Sequence, residues 1–446
     1  MDDKAMEGLL CGPEGKTIKR FLACALLIAL AACAAPQNST GGLTPGDSAA
    51  ASARLHPSNM HPHHGLSSLP GGWLPCGTPN TDGDGGGDGG GYGGYGGYGG
   101  YGSDTTPPAF HEVTCAVAIA GTGYGMRHFD DGPGYGVLGL RPQDLAHAYG
   151  FSGQGHAMTV AIVDAFDDPN AESDLAVYRA EFHLPPCTKA NGCFLKFNQY
   201  GKAGPYPPAN AAWANEVALD TEMVSAVCPR CRIMLMEAKS DNIDDLGASV
   251  DEAVKLGAHI VSNSYYANEW AGETSEDVHY DHPGVAIVVS SGDQANSSGG
   301  APFYPASSPY VTSVGGTTLF GMHDGGGDTQ QTMVQYPWRN AGQGCSRYER
   351  RPALQAPLCR TRSSVDVAVV GDPRTGVAVY VASVGGWAVA GGTSVGAPIV
   401  AAAYALSGNP QGPAFSYRHA NRFGNVEPSG FDLATGLGSP IGVAGL

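Results

Sequence analysis

Ser394 sits in the run Ala390-Gly391-Gly392-Thr393-Ser394-Val395-Gly396-Ala397-Pro398, which leads into the apolar stretch 399–406. Glycines ahead of a serine permit a tight turn and close backbone approach. A serine that opens a helix faces the positive end of the helix dipole, which favours an oxyanion beside it. A simple N-cap serine fits the same pattern, so a nucleophile needs a base from elsewhere in the chain. There are 14 histidines, yet none stands in a His-Gly-Thr-His setting. The alternative base is acidic. In Ala214-Asn215-Glu216-Val217-Ala218-Leu219-Asp220-Thr221-Glu222, Glu216 and Asp220 lie four apart and hence on one helix face. Two adjacent acids repel when both are ionised, so one holds its proton. Such a pair can take a proton from serine, best at acidic pH, although Glu-x-x-x-Asp also suits a solvated helix face. Asp293 ends the run Val288-Val289-Ser290-Ser291-Gly292-Asp293. Kept neutral in an apolar site, it would donate a hydrogen bond to a developing oxyanion; the plainer alternative is a loop cap.

These residues need a scaffold. Residues 159–164 form a short apolar run ending in a carboxylate, as a buried parallel strand reads, and 233–236, 259–262 and 285–290 repeat the theme. Helical stretches at 211–226 and 244–256 lie between them. The alternation predicts an α/β domain with a mostly parallel central sheet flanked by helices. Ligands in such sheets sit beyond the carboxyl ends of the strands, where Asp164, Asp293 and the glycines fall. The change of texture near Pro133 predicts one domain over 133–446.

The order Glu216…Asp220…Asp293…Ser394 resembles the sedolisin, or serine-carboxyl peptidase, family. Further runs carry the likeness: Val160-Ala161-Ile162-Val163-Asp164-Ala165-Phe166-Asp167-Asp168, Ser262-Asn263-Ser264-Tyr265, Ser313-Val314-Gly315-Gly316-Thr317-Thr318-Leu319 and Thr435-Gly436-Leu437-Gly438-Ser439-Pro440. The resemblance implies a subtilisin-like three-layer fold and a serine endopeptidase acting on proteins or peptides through an acyl-enzyme. It makes Ser394 the nucleophile, Glu216 the base, Asp220 the acid orienting it and Asp293 the oxyanion-hole acid. The family's Ser-Gly-Thr-Ser is Gly391-Gly392-Thr393-Ser394 here. Ahead of 133 the chain matches a subgroup without the large folded propeptide of many members. The family's structural calcium would fall on Asn425, Val426, Gly430 and Asp432, with Asn425-Val426 a shortened match to the usual pair. A hard cation wants six or more oxygens. The rival readings are a silent surface-binding module that kept the fold, and a Ser-His-Asp enzyme using Asp164.

The N-terminus sets the compartment. Lys16, Lys19 and Arg20 precede the apolar run 21–32, the pattern of a secretory signal, and the run is too short for a membrane span of about 20 residues. Leu30-Ala31-Ala32-Cys33 resembles a lipobox, so 1–33 is expected to be a signal with Cys33 as lipidated anchor. The product would be an extracytoplasmic, cell-surface or outer-membrane lipoprotein, or a secreted protein. Residues 34–132 are Gly-, Pro- and Tyr-rich, with tyrosines at 92, 95, 98 and 101, and read as a disordered tether of about 55 Å root-mean-square reach. Cys76, Cys115, Cys187, Cys193, Cys228, Cys231, Cys345 and Cys359 remain after the signal; an even number in an exported chain suggests disulfides. Proximity favours 187–193, 228–231 and 345–359, with 76–115 left over, and a disulfide is preferred to a redox or zinc motif for Cys228-Pro229-Arg230-Cys231. A net charge of −17 argues against nucleic acid as partner. A monomer is expected.

Overall fold

The structure, a computed structural model, describes residues 113–115, 118–122, 124–126, 135–153, 158–294, 302–322, 332–424, 426 and 430–446. The expected signal, lipobox and most of the tether lie outside these residues. Four short strands come first: β1 (Thr114–Cys115), β2 (Ala118–Thr122), β3 (Tyr124–Met126) and β4 (Tyr135–Val137), then helix α1 (Pro142–Tyr149). Strand and helix then alternate as β5 (Thr159–Ala165), α2 (Ala171–Glu181), β6 (Phe194–Asn198), α3 (Ala211–Val227), β7 (Arg232–Ala238), α4 (Ile243–Lys255) and β8 (Ile260–Asn263). Beyond them run β9 (Tyr265–Asn268), β10 (Ala286–Ser290), β11 (Phe303–Tyr304), β12 (Thr312–Met322), β13 (Thr332–Pro337), β14 (Cys345–Arg350), β15 (Thr361–Ser363) and β16 (Val367–Val370). The chain finishes through β17 (Val377–Val381), β18 (Gly386–Gly391), α5 (Thr393–Ser407) and α6 (Pro413–Arg418).

The four apolar runs of the sequence are β5, β7, β8 and β10. They form the middle of an eight-stranded sheet of order β13-β12-β10-β8-β5-β7-β6, with β16 also pairing with β12. Every pairing is parallel except β12 with β13. β8, β10 and β16 are buried along their whole length, which is why they read as unbroken apolar runs rather than alternating ones.

Helices cover both faces. α2, α3 and α5 pack together, whereas α4 packs on β5, β7 and β8. The crossover β5–α2–β6 runs one way along the sheet and β7–α4–β8 the other, so two right-handed crossovers put α2 and α4 on opposite faces. α3 runs in the same direction as α4 but lies on the face of α2. The β6–α3–β7 crossover is therefore left-handed. This rare hand puts Glu216 and Asp220 on the face that carries Ser394.

Order begins earlier than the change of texture at 133 suggests. β1 pairs with β9, and β2 pairs with β18 in a three-stranded sheet of order β17-β18-β2. Both pairs join segments more than a hundred residues apart, so no local pattern announces them. The disulfides Cys187–Cys193, Cys228–Cys231 and Cys345–Cys359 are formed. Cys115 is also disulfide-bonded, while Cys76 lies outside the described residues. Among the described residues no helix is long and apolar enough to cross a membrane.

One buried ion pair fastens the end of the chain to the sheet. The Arg362 guanidinium donates to Asp366 Oδ1 at 2.7 Å and Oδ2 at 2.5 Å. The same carboxylate accepts from the Ser313 backbone N–H at 2.8 Å and the Tyr417 hydroxyl at 2.6 Å. β12, β15 and α6 thus meet on a single carboxylate. Removing one partner of a buried pair leaves an uncompensated charge. Arg362→Met should therefore cost about 3–5 kcal/mol of stability, read as a fall in the denaturation midpoint against the parent chain.

Candidate active site

The backbone before Ser394 shows why glycines precede it. Gly392 has φ +114°, a conformation that L side chains rarely adopt. A Cβ on Gly391 would lie 2.4–2.5 Å from Pro373. The Gly392 N–H donates to the Gly371 carbonyl at 2.6 Å, closing the turn. Thr393 and Ser394 then open α5, which is buried through Leu406.

α3 starts at Asn210, whose side chain accepts from the N–H groups of Ala212 and Trp213 at 2.9 and 3.2 Å. The helix is buried from Trp213 to Val227, so Glu216 and Asp220 do not lie on a solvated face. Asp220 Oδ1 accepts from the Ser264 hydroxyl at 3.0 Å. Its Oδ2 and both Glu216 oxygens are buried without a hydrogen-bond partner, as is the Ser394 hydroxyl. Ser394 is close enough to Glu216 to lower its proton affinity, but the two do not meet in a formed hydrogen bond.

Burial raises the Glu216 pKa well above the carboxylate range, and the charges of Asp220 and Asp164 raise it further. Asp220 is raised in the same way, by burial and then by Asp164. Asp164 at the end of β5 is pushed up to about 8, by burial and by Asp168, and both its oxygens lack partners. Three acids, not two, therefore stand together beside the serine. The sequence reading placed Asp164 at the ligand-binding end of the sheet but gave it a catalytic role only in a rival histidine scheme. The histidines with described hydrogen bonds, His279, His282 and His419, bond to Asp251 and Phe415.

Asp293 lies just past β10, beside the turn into α5. Its Oδ1 accepts from the Thr393 N–H and hydroxyl, both at 2.8 Å. Burial pushes its pKa up to about 7, against the lowering effect of those two bonds. The Gly292 N–H donates to Thr393 Oγ1 at 3.0 Å, so Thr393 joins the loop to the helix. Thr393 is a positioning residue that the sequence reading passed over. Asp293 also contributes to the charge felt by Glu216, which joins it to the same site.

The residues expected to bind calcium are less convergent. Asp432 Oδ1 accepts from the N–H groups of Ala434 and Thr435, both at 2.7 Å, and Oδ2 from the Thr435 hydroxyl at 2.9 Å. Val426 forms a bridge to Gln335, Gly430 has φ +113°, and Asn425 lies outside the described residues. Among these, Asp432 is the only side-chain carboxylate, and its own turn already engages it. The described set fits a six-oxygen cation only in part.

Comparison with known proteins agrees with this geometry. The model of the subtilase family (peptidase S8) matches residues 209–420. Kumamolisin from Bacillus sp. (strain MN-32) is 27% identical over 359 residues, covering 68% of this chain and 62% of its own length. The chain thus spans under two thirds of that relative. Among solved structures, Pseudomonas sedolisin, a serine-carboxyl proteinase complexed with two molecules of pseudo-iodotyrostatin, superposes with a TM-score of 0.57 at 22% identity. The match covers 69% of this chain and 96% of that one and speaks to the fold. In its parallel sheet and over residues 209–420 the chain is similar to the subtilisin-like serine peptidases, with kumamolisin and sedolisin among the proteins it resembles.

Proposed function

We propose that the chain is an exported serine-carboxyl endopeptidase that hydrolyses proteins or peptides through an acyl-enzyme, best at acidic pH. The observation that carries this reading is a serine at the start of a buried helix, beside acids that pair with no cation among the described residues. Carboxyls so placed share protons, because ionising all of them would set bare like charges side by side. With Asp220 and Asp164 protonated, Glu216 can be the ionised member and accept the Ser394 proton as its oxygen attacks. It would return that proton to the leaving amine. Asp220, held by Ser264, orients Glu216. A neutral Asp293 and the Ser394 N–H would together donate to the oxyanion. Export and the Cys33 lipid anchor rest on the charge and apolarity of residues 16–33.

A structural calcium is a separate proposal. Asp432 would supply its carboxylate and the backbone of 425–430 the remaining oxygens, the ion stiffening the last loops. Calcium-stripped protein that takes up no heat on titration, and gains no melting temperature from added calcium, would remove this idea.

Ser394→Ala and Glu216→Gln should each abolish hydrolysis of denatured casein, measured from about pH 3 to 8, the range that separates a carboxylate base from a histidine. Turnover by Ser394→Ala comparable to the parent, or an optimum above neutrality, would sink the reading. Stability should follow the same acids. Asp164 is pushed up to about 8 and Asp293 to about 7, burial being the main cause for each. Above about pH 4 the unfolded chain releases these protons while the folded chain keeps them. Stability should therefore fall as pH rises, until the folded pKa is passed. Melting temperatures between about pH 4 and 8 check the direction.

A further inference from the structure

Ser394 and Glu216 stand on helices far apart in the chain and must meet at one separation. α3 bears on this with two faces. Glu216 and Asp220 share the first. Glu222 follows Asp220 by two residues, about 200° round the helix, and so points away from them. Asn215 precedes Glu222 by seven residues, close to two turns, and shares its face. That second face packs on β17. β17 runs antiparallel to β18, and β18 leads through Gly391 and Gly392 into Ser394.

β17 is an edge strand of its sheet, so its outward N–H groups need partners from elsewhere. They fall on alternate residues. The Ala378 N–H donates to the Leu140 carbonyl at 2.9 Å. The Tyr380 N–H donates to Glu222 Oε2 at 2.9 Å. Past the strand, the Ala382 N–H donates to Asp174 Oδ2 on α2, also at 2.9 Å. Two carboxyl side chains thus continue a ladder that a neighbouring strand would otherwise supply. The Ser383 hydroxyl adds a bond to Asn215 Oδ1 at 2.7 Å. Glu222 is fully buried and Asp174 is 3% exposed. Apolar contact also joins these layers: Trp387, opposite Tyr380, has its ring 6.0 Å from Tyr178 and 5.6 Å from Phe182. Such packing is non-directional and sets the spacing of layers, whereas the hydrogen bonds fix where along α3 the strand pair sits.

We propose that Glu222 is a positioning residue for the hydrolysis, a role that rests on the peptidase reading. With Asp174 and Asn215 it seats the β17–β18 pair on α3, so that the serine at the end of β18 stands in reach of the base on the same helix. One helix then carries Glu216 on one face and registers the path to Ser394 with the other. Glu222 touches no substrate and acts through the strand pair. Its Oε2 needs only to accept a hydrogen bond, which the amide oxygen of glutamine also does. Burial raises its pKa well above the carboxylate range, against the lowering effect of the Tyr380 N–H. A protonated Glu222 and a glutamine are thus alike in charge and in accepting oxygen. Loss of the acceptor would let the pair slide, and a misplacement of about 1 Å at a nucleophile costs about a hundredfold in rate.

The test is steady-state cleavage of a quenched fluorescent peptide, taken from a site cut in denatured casein, at the parent's best pH. Full-length parent, Glu222→Met, Glu222→Gln and Ser394→Ala are compared well below their melting temperatures, which are measured alongside. Methionine matches glutamate in length and is only a weak acceptor. Glu222→Met should lose kcat by about 10- to 100-fold with KM within about twofold, because binding is left intact. Glu222→Gln should keep kcat within about threefold of the parent, since it restores the acceptor. A merely structural role would lower the melting temperature of Glu222→Met and leave its kcat at the parent's value; that result overturns the inference. So does Glu222→Gln as slow as Glu222→Met, which assigns the effect to charge. Should Glu222→Met not fold, Ser383→Ala decides, since Ser383 is exposed and its loss frees only the bond to Asn215. A kcat lower by about threefold or more at the parent's KM then upholds the role, and the parent's kcat overturns it. All these outcomes leave the peptidase reading standing. A parent no faster than Ser394→Ala overturns both.

Discussion

Carboxyl groups buried side by side without a cation can persist only by holding protons, and this condition governs the rest of the molecule. Glu216, Asp220 and Asp164 share one buried site with Ser394. Charging all three would cost more than the packing around them returns. Protonated, the same groups lie side by side without that repulsion. The apolar walls of α3 and α5 thus do chemical as well as structural work, because they set the proton affinity of what they enclose. Lys196 shows the contrast. It reaches Asp167 at 2.5 Å and Glu237 at 2.9 Å one strand further out, where the sheet does admit a cation.

The second requirement is topological. Acids on α3 and the serine on α5 can meet only if both helices share a face of the sheet. A right-handed β6–α3–β7 crossover would send Glu216 to the opposite side. The left-handed one is thus a condition of the site, and the contact of α3 with α5 holds it in place. Thr393 completes the join by tying Asp293 and Gly292 to the first turn of α5.

Much of this was legible in the sequence. Unbroken apolar runs gave the parallel strands, and the four-residue spacing of Glu216 and Asp220 put both on one helix face. The glycines at 391 and 392 marked a turn that only they tolerate. Other features were hidden for physical reasons. The hand of a crossover depends on packing between helices far apart in the chain, which no residue pattern states. Asp164 joins the acids because β5 ends beside α3, a tertiary fact. β1 and β2 were hidden because short strands beside a Gly-rich stretch carry little local signal, and their partners lie at 265–266 and 388–391.

The pairing of β2 with β18 gives those first strands a further meaning. Residues 113–115 and 118–122 are neighbours in sequence but belong to different sheets. The first lies on β9 and the second on β18. β2 pairs with the strand that leads to Ser394. A chain trimmed at the change of texture near 133 would bare that edge, leaving β18 with unpaired N–H and C=O groups three residues from Ser394. The pairing with β18 therefore reaches back to Ala118, inside what composition alone would assign to the tether.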